Sequence, residues 1–329
     1  MDSLTQLAFG AACGEAILGK KVGRKALIWG AILGTLPDLD VLIPLGSPVD
    51  DFVYHRGFSH SLFLLTALSP VFAWLITKVH GNTKPLFNKW MLLTFVVLNG
   101  SVLLDLFTIY GTQIFWPIDT TPHAIPALFI IDPLFTLPIL IGVSSALFLK
   151  NQRLNFIGLC LSLAYLVWAL GTGVFVKQKI KEKLAEQGVR YSKFVSSPAP
   201  FTTLLWRTVG IHQDQYFETY YSLFDGDAPL SVDVYPRNLA LMNGIEEHAP
   251  VVKLKNFTKG YFSMSDINGS VTMTDLRMGS EPDYVFRFKV ANLNHTLSIP
   301  ASEQRIKTQQ DWSRILSLWK RIWDPTVHL

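Results

Sequence analysis

Apolar residues fill long unbroken runs up to about residue 176 of this 329-residue chain, and short mixed ones after it. A helix that crosses a bilayer needs ~20 mostly apolar residues. Residues 26–45, 58–79, 90–110 and 129–149 meet that requirement, and 154–176 makes a fifth run. Residues 4–18 predict a short span or a re-entrant helix. Gly10-Ala-Ala-Cys-Gly14 and Gly30-Ala-Ile-Leu-Gly34 are small-xxx-small patterns that let helix backbones approach closely. Beyond a polar helical stalk at 178–189, strand-like composition recurs at 203–211, 215–224, 251–257, 271–278 and 284–290, with a hairpin turn at Asn268-Gly269. Residues 311–323 form an amphipathic helix with Trp312, Ile315, Leu316, Trp319 and Trp323 apolar, suited to packing on the strands or to lying on the outer leaflet. The fold class expected is an α-helical polytopic membrane domain of five or six helices (1–176). A linker stalk (177–189) and a small β-rich extramembrane domain (190–329) with a C-terminal amphipathic helix follow.

Composition agrees: 49% of residues are hydrophobic and 16% charged, against about a quarter charged in ordinary soluble domains. The net charge of +4 is modest and its cations flank the apolar runs, so they speak for topology and not for nucleic acid. Lys20, Lys21, Arg24 and Lys25, then Lys78, Lys84 and Lys89, then Lys150 and Arg153 mark three cytoplasmic loops. Loops 46–57 and 111–128 contain one Arg and no Lys and should face outward, as should the C-terminal domain; Lys177, Lys179, Lys181 and Lys183 run against this last assignment. Cys13 and Cys160 read as reduced, buried fillers, and no signal peptide is read at the N-terminus.

This orientation gathers ionisable groups at one membrane face, where they are expensive to keep. Asp38 and Asp40 end one apolar run; His55-Arg56-Gly57-Phe58-Ser59-His60-Ser61 opens the next; Asp105 lies near the outer end of a third. Imidazole and carboxylate are the ligands that borderline and hard divalent ions take from proteins. The two aspartates are two apart and the two histidines five apart, so neither pair shares one ideal helical face. Pro37 and Gly57 supply the breaks that would let each pair converge, with Ser59 as N-cap of the following helix. Ser101, Asp105 and Thr108 form one polar stripe. Arg56 could pair with Asp105 or orient an anionic substrate. Asp132 before Pro133 reads as a helix cap, and Gly111-Thr112-Gln113 as a plain turn. Ser59 and Ser61 lack the elbow motif of a nucleophile.

Met1-Asp-Ser-Leu-Thr5, Pro37-Asp-Leu-Asp40, the 55–61 run, Leu104-Asp-Leu-Phe-Thr108, Gly111-Thr-Gln-Ile-Phe-Trp-Pro117 and Ile131-Asp-Pro-Leu-Phe-Thr-Leu-Pro138 follow in order. With them the chain resembles the YdjM-like, LexA-regulated family of membrane-bound metal-dependent hydrolases. The resemblance covers most of residues 1–150. It implies a multi-pass protein of the bacterial inner membrane with a metal site. Many members carry His where this chain has Gln6 and Ser101, which favours one ion over two.

The expectation is a metal-dependent hydrolase at the outer face of the inner membrane, acting on a lipid-like ester or phosphoester presented by the bilayer. His55, His60, Asp40 and Asp105 are the expected ligands of a Zn²⁺ or Mn²⁺ ion. Such an ion would lower the pKa of bound water to about 7. Asp38 is expected either to support the ligands from behind or to act as general base, with Arg56 beside it. The rival is a non-catalytic membrane protein whose His/Asp cluster is structural. A transporter is disfavoured, since no inverted repeat is visible.

Overall fold

A computed structural model describes Met1–Asn294, Leu297–Ile306 and Ser313–Leu329. It divides into two compact units. The first comprises Met1–Ile43, Arg56–Gly171 and Pro200–Thr202; the second comprises Pro44–His55, Thr172–Ala199 and Thr203–Leu329.

The first unit is helical. Helix α1 (Ser3–Gly14) runs through one π-helical turn (Glu15–Gly19) into α2 (Lys20–Val22), and Gly23 begins α3 (Arg24–Thr35). Helix α1 starts where the Asp2 carboxylate accepts from Thr5 N at 3.0 Å. The two glycine patterns meet here. A Cβ at Gly10 would lie 2.1 Å from Gly30 O, and one at Gly34 would lie 2.4 Å from Gln6 O. Only the absence of a side chain permits these backbones to touch, as the spacing predicted.

Helix α3 ends at a 3₁₀ segment, Pro37–Leu42. The predicted run 26–45 is therefore not one helix, because Pro37 lacks the N–H that α-helical continuation needs. Helix α5 (Leu62–Val79) and helix α6 (Phe87–Leu106) pack as neighbours; α7 (Pro133–Phe148) and α8 (Gln152–Glu186) follow. Among the described residues, three stretches are long and apolar enough to cross a membrane: Leu62–Val79, Gly81–Leu106 and Gln152–Glu186. Helix α7 is apolar but has 16 residues. The outer faces carry the signature of lipid contact, with Val71, Trp74, Ile157, Val167 and Trp168 exposed. Cys160 is exposed on α8, which corrects its reading as a buried filler; Cys13 is buried. Asp132 caps α7 as expected, accepting from Leu134 N at 3.0 Å and from Tyr165 Oη at 3.0 Å.

The second unit holds α4 (Pro48–Tyr54) and the last turns of α8. Ile180 and Leu184 of those turns are buried against Trp206 and Phe217. Two antiparallel four-stranded sheets follow: β1 (Lys193–Pro198), β2 (Leu205–His212), β3 (Gln215–Ser222) and β4 (Val232–Pro236), then β5 (Phe262–Ile267), β6 (Ser270–Asp275), β7 (Arg287–Asn294) and β8 (Leu297–Arg305). Asn268 (φ 52°) and Gly269 (φ 77°) make the two-residue hairpin between β5 and β6.

The strand expected at 251–257 is instead helix α9 (Ala249–Phe257). Pro250 sits in its first turn, and Val251, Leu254 and Phe257 are buried at helical spacing. Phe52 of α4 packs at 4.7 Å on Phe257 and 5.0 Å on Phe288. Helix α10 (Ser313–Trp323) closes the chain, with Asp311 and Trp312 of the predicted helix outside the described residues.

Candidate metal centre

Within the helical unit, three breaks in regular structure deliver three side chains to one point. The 3₁₀ segment at Pro37 carries Asp38; a second 3₁₀ turn, Phe58–His60, carries His60; the last turn of α6 carries Asp105. One ligand atom from each lies within 4.8 Å of the others. His60 Nε2 stands 3.1 Å from Asp38 Oδ1 and 3.3 Å from Asp105 Oδ2. The side chains of His60 and Asp105 are fully buried, while Asp38 is 15% exposed and forms the open side.

The turn bearing His60 is held from several directions. Arg56 adopts the left-handed conformation (φ 63°), so the chain reverses there and not at Gly57. Its backbone N–H donates to Asp40 Oδ2 at 3.0 Å, and its carbonyl accepts from Gln113 N at 3.0 Å. Ser61 Oγ donates to Trp116 O, and Leu62 N donates to Ile114 O. The 111–117 segment is thus a strap across the turn, more than the plain turn read from its sequence. Ser61 also caps α5 by accepting from Leu64 N at 3.2 Å. This corrects the assignment of Ser59 as that cap. Ser59 Oγ instead donates to Asp40 Oδ2 at 2.6 Å and lies 2.9 Å from His60 Nδ1.

These contacts favour one protonation pattern at His60 Nδ1. With its hydrogen on Asp40, the Ser59 oxygen must accept, so His60 Nδ1 carries the proton. In neutral imidazole, Nε2 then presents a lone pair to two carboxylate oxygens. In that tautomer three acceptors face one point and repel unless a cation lies between them, whether a second proton on the ring or a metal ion. The donor set of one imidazole nitrogen and two carboxylate oxygens suits a divalent ion.

Asp105 is compensated on its other side. Oδ1 is 3.1 Å from Arg56 Nη2, and the Met1 amine also donates to it. Gln6 Nε2 donates to both carboxylate oxygens, at 3.1 and 3.0 Å. Arg56 donates to Thr108 Oγ1 at 3.2 Å and lies over the Tyr110 ring. Gln6 Oε1 and Ser101 Oγ, at the two positions where histidine was expected from the resemblance, are buried without a hydrogen-bond partner.

Of the residues singled out from sequence, Asp38, His60 and Asp105 converge, with Asp40 reaching His60 through the Ser59 hydroxyl and Arg56 bound directly to Asp105. His55 is placed at the C-terminal cap of α4, in the other unit. Sequence reasoning did not foresee the Met1 amine, for which no pattern exists, nor Tyr110. It did note Gln6, though as a missing ligand and not as a donor to Asp105.

The family model described as YdjM inner membrane protein matches residues 1–175, a span that contains every residue of this centre. No curated protein and no solved structure matches the chain.

Proposed function

We propose, from the premise that this chain belongs to the YdjM inner membrane protein family, that it is a metal-dependent hydrolase acting on an amphiphilic ester or phosphoester at the membrane face. One observation carries the reading: His60 Nε2 and oxygens of Asp38 and Asp105 lie within 4.8 Å of one another, a donor set suited to a divalent ion. Asp38, His60 and Asp105 would hold the ion, with Zn²⁺ or Mn²⁺ best matched to them. Such an ion supplies Lewis-acid polarisation and an acidified water. Ser59 and Asp40 orient the His60 ring. Arg56 anchors Asp105 Oδ1, leaving Oδ2 turned inward. Asp38, on the open side, is placed to take a proton from an attacking water. Full-length protein in nanodiscs should hydrolyse members of a panel of short-chain phospholipids and acyl esters. Chelation should abolish turnover, and added Zn²⁺ or Mn²⁺ should restore it. Turnover that survives both chelation and His60→Ala would sink the proposal.

A specific observation favours a second reading. Arg56, the Met1 amine and Gln6 already donate to Asp105, so the cluster can stand as a structural polar core if His60 is doubly protonated. In that case the purified wild type holds no stoichiometric metal.

We also propose that the centre faces away from the cytoplasm, on the positive-inside distribution of Lys and Arg. An export-dependent reporter fused after Leu329 should be active, and one fused at Asn151 inactive. The reverse pattern would place the centre on the cytoplasmic side.

A further inference from the structure

The second unit contains a cavity of about 410 Å³ whose walls combine cations with apolar side chains. Lys193 of β1, Arg237 after β4 and Lys255 of α9 line it, with Ile211, Met242 and Phe262 among its apolar residues. Arg237 is 7% exposed. Its guanidinium donates to three carbonyls, Phe262 O at 2.9 Å, Gly260 O at 3.0 Å and Gln213 O at 3.1 Å. Lys193 Nζ donates to Lys259 O and lies 4.8 Å from the Tyr261 ring centroid. No described carboxylate comes within 4.0 Å of Lys193, Arg237 or Lys255. The other three buried arginines of this unit's sheets and helix α10 are each paired: Arg207 with Glu218, Arg277 with Asp275 and Arg321 with Asp225.

Arg237 is therefore a buried guanidinium whose hydrogen bonds go to carbonyls, with Asp214 acting on its charge from outside ion-pair distance. A guanidinium has five N–H donors in a planar fork, and three are spent on carbonyls. Partial burial and the neighbouring Arg237 push the Lys193 ammonium below its ordinary pKa, the mark of two cations kept close. Glu246 is the acid on the wall, and its carboxylate accepts from Gly244 N at 2.9 Å. Three cations against Glu246 on the wall and Asp214 beside Arg237 leave the cavity net positive. Ligand pockets of this size are mostly apolar, with a few polar groups that fix orientation.

We propose that this cavity binds a small oxyanion of the phosphate class bearing a short apolar tail, with Lys193, Arg237 and Lys255 on the anion and Ile211, Met242 and Phe262 on the tail. The site is separate from the metal centre and does not depend on its chemistry. The tail distinguishes the ligand from free phosphate, and its source is either a lipid headgroup or a soluble amphiphile.

The test is calorimetric titration of chelator-treated full-length protein in phosphatidylcholine nanodiscs, with empty nanodiscs as blank. The probes are hexyl phosphate, inorganic phosphate, hexanol and dihexanoyl phosphatidate. Hexyl phosphate should bind one per chain, at least tenfold tighter than inorganic phosphate or hexanol. Lys255→Glu, on the exposed face of α9, should weaken it at least tenfold without changing the melting temperature. Lys193→Gln should act in the same direction, and His60→Ala should leave the affinity unchanged. Phosphatidate binding as well as hexyl phosphate assigns the source to lipid; phosphatidate failing where hexyl phosphate binds assigns it to a soluble amphiphile. Absence of binding, affinity insensitive to Lys255→Glu and Lys193→Gln, or hexanol matching hexyl phosphate would overturn the proposal.

Discussion

Replacing His60 with alanine is expected to remove metal binding from the purified protein while leaving the helical unit assembled. His60 contributes the nitrogen ligand of the three groups that converge, and its ring is fully buried between Asp38 and Asp105. Loss of one of three protein ligands should weaken Zn²⁺ by at least about a hundredfold, roughly 2.8 kcal/mol at 1.4 kcal/mol per decade. Ser59→Ala is the graded counterpart. It removes the hydroxyl that links His60 Nδ1 to Asp40 Oδ2, so the ring loses its orienting partner but keeps its ligand atom. Outer partners of ligating histidines are worth 10–100-fold in affinity, so Ser59→Ala should fall between wild type and His60→Ala. Metal content by elemental analysis after dialysis against competing chelator gives the order. A wild type without stoichiometric metal, or a His60→Ala protein that retains it, would move the centre from metal site to structural core.

That His60 would matter was legible in the sequence, because histidine beside carboxylates at the mouth of an apolar run has few uses. Which carboxylate meets it was not. Asp38 and Asp40 differ by two positions, and the choice depends on the 3₁₀ geometry after Pro37, which turns Asp38 toward His60 Nε2 and Asp40 toward Ser59. Similarly, Gly57 seemed the residue made for a reversal, yet Arg56 takes the left-handed conformation because its N–H and carbonyl are both tied down there. In the second unit, β2, β3 and the Asn268-Gly269 hairpin follow from alternation and turn chemistry. Strands β1 and β4 did not announce themselves, since Lys193–Pro198 and Val232–Pro236 are short, polar edges of their sheet. The 251–257 segment shows why a short apolar run is ambiguous. Its valines favour a strand, but Pro250 and the spacing of Val251, Leu254 and Phe257 fit one buried helical face.

The largest stability effect is expected at Asp105. Asp105→Asn preserves shape and removes the charge that faces Arg56 Nη2 at 3.1 Å, where both side chains are almost wholly buried. Arg56 would keep its bond to Thr108 and its place over Tyr110, but would lose its carboxylate in a site water does not reach. Breaking a buried pair from one side costs on the order of 3–5 kcal/mol, because the stranded charge has no solvent to turn to. Removing both side-chain charges should recover the part of that loss due to Arg56, with the Met1 amine still unpaired, so Arg56→Met with Asp105→Leu should melt above Asp105→Asn alone. The same variants separate the two readings of the cluster. If Asp105 is also a ligand, metal binding disappears in the single and the double variant alike, while stability returns only in the double. If Asp105 is purely structural, stability follows charge balance and no metal signal exists to lose. Thermal unfolding of the three proteins in nanodiscs, with metal content measured on the same samples, decides the case. A double variant no more stable than Asp105→Asn would show that the loss comes from the stranded Met1 amine or the lost Gln6 bonds and not from Arg56.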